Sequence, residues 1–378
     1  MRRRQFLATG PAAGVAMAGA AASAPAIGQG RKELKLVTSF PKNFPGFGTS
    51  AARVARRITT ATGGRINVRL FHADELVPAF GVFDAVSEGT AEMYFSLEYY
   101  FPDKSPAFNF FTAVPFGMTH LETWAWLMHG GGYRLWRNLH SQFGMVPFVG
   151  PSAGAKMGGW FNRRIARLSD LHGVRFRMPG LGGAVLRALG VKVVNLPADR
   201  IFAALHSGAI DGTEWFGPWH DLAFGFHRVV KHYHWPGFQE PGTTSSYAIN
   251  KSFWSSLSAE DREIVRAVLE AEVFVQSVEY DGRSPGALDT LVKEYDVKVH
   301  KFSDRLLTQI GKMSAEVVDQ VGTGDPATQE VWDSFRAFRK TAIGWSRVGL
   351  QGYMNARSLP FKYGVSRPRP APPDPATH

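Results

Sequence analysis

The sequence predicts an α/β protein of two lobes, the second inserted into the first, with a helical C-terminal third. Three observations predict it. Strand-like and helix-like segments alternate twice, first from Glu33 and again from about Gly158. A lone strand-like segment at 244–249 follows the second alternation. Beyond Ser258 the apolar spacing turns helical and stays so to Val348.

Residues 33–39 (ELKLVTS) alternate polar and apolar, the period of a half-buried strand. Residues 48–62 repeat Ala, Val and Ile at helical spacing until Gly63-Gly64 stops them. Residues 65–71 (RINVRLF) form a second strand, 78–88 a short helix and 91–96 a third strand. This β-α-β-α-β order implies parallel strands with right-handed crossovers. In the second alternation, 173–178 is a strand, 181–189 a helix and 191–195 a strand. Residues 199–207 form a helix that Gly208 ends, and 210–216 are strand-like. Segment 244–249 crosses back. Ser258 with Asp261 makes a capping box for a long helix from 259 to about 280. Helices at 284–294, 303–321 and 327–348 follow, and from Arg367 the chain is Pro-rich, a composition that resists packing. The implied division is a leader at 1–26, lobe I at 31–155 with 245–300, lobe II at 156–244, C-terminal helices at 301–360 and a disordered tail at 361–378.

The leader opens with Arg2, Arg3 and Arg4, then an uncharged run rich in Ala and Gly. The run is too short and its residues too small for a membrane anchor. Ala24 and Ala26 suit cleavage after Ala26, since cleavage after Ala24 would leave Pro25 behind the cut. Arg3-Arg4-Gln5-Phe6-Leu7 reads as a twin-arginine export signal, with an ordinary secretory signal as the alternative. Either route leads to the periplasm. The chain has 378 residues, no Cys and a formal charge of +11. Without Cys there is no disulfide, zinc–thiolate site or thiol nucleophile. The leader holds three Arg and no acid, so a mature chain keeps about +8, which suits anionic ligands. No long Lys/Arg run or nucleic-acid motif occurs.

Pro179-Gly180-Leu181-Gly182-Gly183 lies between a strand and a helix, the place of a dinucleotide fingerprint. Val185 stands where a third small residue belongs, so a glycine turn serving an anion or the fold fits better. Arg177 ends the preceding strand, sharing a face with Arg175, and can grip a carboxylate or make a surface ion pair. Glu214, beside Trp215 and Phe216, would repel an anion unless a cation answers it. Asp211 suits a turn or cap. Tyr99-Tyr100-Phe101 and Trp160-Phe161 can wall a pocket or fill a core. No HEXXH or G-x-S-x-G pattern occurs, although His232 and His234 alternate.

Taken together, these segments resemble the soluble receptors of TRAP (tripartite ATP-independent periplasmic) transporters, in the branch that binds 2-oxo and 2-hydroxy acids. The resemblance runs from Leu34 to Arg347. It is carried by VTSFPKNFPG (37–46), ELVPAF (75–80), PAF (106–108), AVPFGM (113–118), MGGWF (157–161), PGLGG (179–183), SGAIDGTEW (207–215) and EPG (240–242). It implies a type II-like periplasmic binding protein fold, with a long connecting helix and a small organic acid closed between the lobes. It implies Arg177 as the carboxylate clamp, in a site with Tyr99, Tyr100, Trp215, Phe216 and Asn43. It also implies TRAP membrane subunits as partners, a homodimer through the C-terminal helices, no cofactor beyond Na⁺ or Ca²⁺ in relatives, and no nucleic acid. In that branch a glutamine before the Met-Gly-Gly-Trp-Phe segment helps the acid of Thr-Glu-Trp to hold the metal. Here Lys156 stands in that place. Its ammonium is expected to replace the metal and pair with Glu214; the alternative is a cation on Glu214 and the Trp215 carbonyl. Gln239, where relatives carry histidine, is a second departure. Two other functions stay open: an enzyme using Lys156 as a Schiff-base amine on 2-oxo acids, and a ligand-sensing module.

Overall fold

The structure, a computed structural model, describes residues 30–361. The leader and most of the Pro-rich tail lie outside the described residues. Strands β1 (Lys32–Thr38), β2 (Ile66–Phe71) and β3 (Met93–Ser96) run parallel with β1 in the middle. Alternation in β1 buries Leu34 and Leu36 completely. The helix Phe47–Ala61 lays Phe47, Ala51, Val54 and Ile58 into the core, the i, i+4 spacing that its sequence carries.

The chain then builds β4 (Met145–Ser152), crosses over, and lays down a second sheet: β5 (Gly159–Phe161), β6 (Arg175–Arg177), β7 (Lys192–Val194), β8 (Gly212–Thr213) and β9 (His232–Trp235). It crosses back as β10 (Thr244–Asn250), antiparallel to both β3 and β4. A last strand, β11 (Lys298–Lys301), pairs with β9. The sheet orders are β2-β1-β3-β10-β4 and β11-β9-β5-β8-β6-β7. The layout is the expected α/β fold with a helical C-terminal third. Because β11 joins the second sheet, the chain re-enters that sheet before residue 300, within the segment expected in lobe I.

Three expectations are corrected. The helices expected at 259–280 and 284–294 are one 35-residue helix, Ala259–Lys293, with Pro285 inside it. Proline removes one backbone bond, but residues 281–283, 285 and 286 are exposed, so water can serve the freed carbonyl. The buried residues Tyr280, Ala287 and Leu291 carry one face through the proline. Residues 78–88 yield helix only at Val82–Ser87, and 210–216 yield strand only at Gly212–Thr213. At the long helix's start, Ser258 accepts from the Asp261 N–H at 3.0 Å, while the Asp261 carboxylate takes Arg65 at 2.7 Å. The serine cap therefore forms, and the acid pairs with Arg65 just ahead of β2.

Candidate ligand site

Backbone register sets the site. β6 and β8 are parallel, with Arg177 beside Thr213. Glu214 therefore emerges next to Arg177, and its N–H donates to the Arg177 carbonyl at 3.2 Å. Two further residues come from the segments joining the sheets. Lys156 lies on 153–158, between β4 and β5, and Glu240 lies on 236–243, between β9 and β10. These connectors are tied together. The Gly237 N–H donates to the Lys156 carbonyl at 3.0 Å, and Gln239 Nε2 donates to the Met157 carbonyl at 2.9 Å. Gly237 is required there, since a Cβ would stand 2.6 Å from the Lys156 carbonyl oxygen.

The four side chains meet in one ion cluster. Arg177 Nη1 donates to Glu214 Oε1 at 2.7 Å, and Lys156 Nζ donates to Glu214 Oε2 at 3.3 Å. Lys156 also donates to Glu240 Oε2, which accepts from Thr243 Oγ1 at 2.5 Å. Arg177 and Glu214 are 0% exposed, Lys156 4% and Glu240 3%. Arg177 Nε donates to the Leu196 carbonyl at 3.1 Å, and Nη2 reaches Tyr100 Oη at 3.5 Å. Aromatic rings wall the charges: the Lys156 ammonium sits 4.3 Å from the Phe216 ring centre, and the guanidinium 5.0 Å from that of Trp215. Tyr99 packs edge-on against Tyr100 at 5.0 Å.

Burial pushes the Glu214 carboxyl up to about 7; Lys156 and Arg177 oppose the shift and Glu240 adds to it. Burial likewise pushes the Tyr100 phenol up to about 12 against the pull of Arg177. Such clusters stabilise little, because desolvation offsets their attraction. One position farther out, buried Asp221 accepts from Trp160 Nε1 at 2.8 Å, Tyr233 Oη at 2.7 Å and the Phe216 N–H at 3.2 Å. It thereby fixes the backbone that carries Phe216.

The structure thus brings together Arg177, Lys156, Glu214, Trp215, Phe216, Tyr99 and Tyr100. Asn43 is not among them: it is an exposed turn residue with φ 60°. Asp211 answers Arg175 at 2.7 Å on the surface rather than serving only a turn. Trp160 stacks on Tyr233 and Phe161 on Phe176, so both are core. The glycine turn is a packing device, for a Cβ on Gly183 would lie 2.4 Å from the Met178 carbonyl oxygen. His232 and His300 face each other at 2.9 Å on the far edge of the second sheet. Glu240 and Thr243 are the residues that sequence reasoning missed. The Glu-Pro-Gly stretch marked the place, but nothing local points to a partner 84 positions away.

The donor set does not fit a metal ion. The ammonium of Lys156 already holds Glu214 Oε2, and its charge would repel a cation at that oxygen.

Comparison with known proteins gives one consistent result. Residues 38–324 match the bacterial extracellular solute-binding proteins, family 7. A monocarboxylate 2-oxoacid-binding periplasmic protein from Nostoc sp. is 38% identical over 86% of this chain and 88% of its own length. A TRAP transporter solute-binding protein from Bordetella bronchiseptica, a mixed-occupancy dimer with calcium and picolinate bound in one active site and the other site apo, superimposes with a TM-score of 0.84. It is 30% identical, over 87% of this chain and 97% of that one. Another from Pseudoalteromonas atlantica, with sodium and pyruvate bound, gives 0.83 at 31% identity, over 86% of this chain and 99% of that one.

Proposed function

This chain belongs to the bacterial extracellular solute-binding protein family 7, and we propose that it captures a small 2-oxo or 2-hydroxy monocarboxylate, aromatic acids included, as the receptor of a TRAP transporter. The observation that carries the ligand class is Arg177: a wholly buried guanidinium at a strand end, between Tyr100 and Trp215. Its planar fork matches a carboxylate. Arg177 clamps the acid, and Tyr99, Tyr100, Trp215 and Phe216 wall it. Lys156 takes the place of the sodium or calcium bound in the relatives. An ammonium has three donors; Glu214 and Glu240 take two, and the third serves the ligand's 2-oxo or 2-hydroxy oxygen.

The same contacts speak against an enzyme. A Schiff base needs a free amine lone pair, and here the nitrogen donates to two carboxylates. The ligand enters between lobe I (31–155 with 245–300, less β11) and lobe II (156–244). The twin-arginine leader sends the chain to the periplasm, where it meets the transporter's membrane subunits. Homodimerisation uses apolar side chains left open: the half-buried stripe Ile264, Val268, Val275, and the exposed Trp345, Val348 and Tyr353.

Calorimetry with pyruvate, 2-oxobutyrate, lactate and picolinate tests the reading. At least one acid is expected to bind saturably. Arg177→Lys and Arg177→Ala, checked for folding by circular dichroism, are expected to weaken binding by roughly 30-fold or more, from about 2–5 kcal/mol for truncating a buried charged partner. No heat with any acid would remove the ligand class.

A further inference from the structure

We propose that Glu98, held by His140 and Tyr94, is a positioning residue that sets Tyr99 and Tyr100 against the ligand without touching it. The inference rests on the receptor reading and deepens it, since the two tyrosines wall an acid only on that reading. The three side chains come from separate elements. Tyr94 belongs to β3, Glu98 to the single turn Glu98–Tyr100 that follows it, and His140 to the helix Gly132–Ser141. All three are 0% exposed. Phe83 and Phe108 close around the imidazole.

The hydrogens can be assigned from the acceptors. The Trp136 carbonyl, 3.2 Å from His140 Nδ1, can only accept, so Nδ1 carries a hydrogen. Tyr94 Oη, His140 Nε2 and Glu98 Oε1 then meet in a triangle with sides of 3.1, 3.2 and 3.3 Å. Tyr94 brings one hydrogen, which cannot serve both neighbours. A second, on Nε2 or on the carboxyl, joins His140 to Glu98. Glu98 Oε2 has no hydrogen-bond partner among the described residues, so Oε1 makes the whole tie.

The turn has this anchor on one side and the ligand site on the other. The Phe101 and Tyr100 N–H groups close it by donating to the Glu98 and Leu97 carbonyls, each at 3.0 Å. The Tyr99 N–H donates to Thr112 Oγ1 at 3.2 Å. Tyr100 Oη stands 3.5 Å from Arg177 Nη2. Tyr99 lies against Gly180, where an added Cβ would come within 3.2 Å of the Tyr99 Cβ. A buried carboxyl costs stability unless it is hydrogen-bonded, and an apolar side chain would fill the same volume. What the carboxyl adds is direction, because a hydrogen bond weakens steeply off its line. Glu98 and the two tyrosines are consecutive, so a turn that pivots at Glu98 carries both rings with it.

Calorimetry with pyruvate, 2-oxobutyrate, lactate and picolinate tests this on variants that keep the bulk of the side chain. Glu98→Met leaves no buried charge and lets Tyr94 donate to His140 Nε2, so it is expected to fold, checked by circular dichroism. Its affinity for the acid that the unsubstituted chain binds is expected to fall about tenfold, within the range for coupled neighbours. Glu98→Gln, whose amide can donate to His140 Nε2, should recover most of that loss. His140→Phe should lose about as much as Glu98→Met, and the double variant no more than either, as one unit does. Should Glu98→Met fail to fold, Glu98→Gln against His140→Phe makes the same comparison. Undiminished affinity in Glu98→Met or His140→Phe, a Gln variant no better than Met, or losses that add would overturn the positioning and leave the receptor reading standing. If no acid of the panel binds the unsubstituted chain, the receptor reading fails and takes this inference with it.

Discussion

Replacing Lys156 with Met leaves two buried carboxylates without the cation they share. Removing one partner of a buried ion pair costs roughly 3–5 kcal/mol. The lower half of that range is expected, because Arg177 still holds Glu214 at 2.7 Å and Thr243 still donates to Glu240. The loss must depend on pH. Burial sets the folded Glu214 carboxyl at about 7, above its ordinary 4.5. A carboxylate raised in this way stabilises the fold below its unfolded pKa, and that contribution is lost as pH rises through the folded value. In the wild type this amounts to about 3 kcal/mol between pH 4.5 and 7. Without Lys156 the folded value climbs higher, so the penalty grows from about 1 kcal/mol near pH 5 to about 3–4 near pH 8. Urea unfolding followed by circular dichroism, at about pH 5, 6, 7 and 8, measures it directly. At alkaline pH the midpoint of a thermal melt should fall by roughly 6–12 °C. A penalty below about 1 kcal/mol at pH 8, or one that does not vary with pH, would refute the claim that the ammonium neutralises both acids.

Three further outcomes are expected. His220 is buried among Phe44, Phe47, Phe216 and Tyr280, and neither ring nitrogen has a hydrogen-bond partner among the described residues. Its pKa, lowered from 6.5 to about 3 by burial, stabilises the fold above pH 6.5. That contribution, up to about 5 kcal/mol, is lost as pH falls toward 3. His220→Phe should flatten this acid limb in urea titrations, and an unchanged limb would contradict the assignment. Gly46→Ala should cost about 2 kcal/mol or more by the same urea measurement, since φ is +77° and the new Cβ would meet His220 Nε2 at 2.3 Å. The proposed homodimer predicts that Trp345→Glu with Val348→Glu gives a monomer by light scattering where the unsubstituted chain gives a dimer; a dimer that survives both changes places the interface elsewhere.

Much of the fold was written in periodicity. Leu34 and Leu36 alternate into the core, and Phe47, Ala51, Val54 and Ile58 share one helical face, because local burial dictates both patterns. Pro285 misled for a physical reason: proline's local cost is a hydrogen bond, and water on an exposed face can replace what a core could not. The site was legible only in part. Arg177, Lys156 and Glu214 are unusual residues for their surroundings, so each raised a question of charge from sequence alone. Glu240 raised none. Its partner lies on another connector, and a contact made by tertiary crossing leaves no local periodicity. Asn43 shows the converse: membership in a telling stretch did not carry it into the cleft.

The position of the lysine makes a stronger statement than its chemistry alone. Lys156 and Glu240 occupy the two connectors that pass between the sheets, while Glu214 and Arg177 stand at the strand ends of the second sheet. The Lys156–Glu240 pair, with the Gly237 and Gln239 bonds beside it, ties one crossing to the other. Any relative movement of the two sheets must pass through these crossings and the long helix, whose Tyr280 hydroxyl donates to the Ala155 carbonyl at 3.0 Å, next to Lys156. A metal held between side chains could leave with the ligand. A covalently attached ammonium cannot, so under the proposed function the charge that meets the acid stays on its connector. On the proposed reading the Lys156 ammonium keeps Glu214 and Glu240 on two of its donors and offers the third to a ligand oxygen, so ligand exchange leaves the tie between the connectors in place.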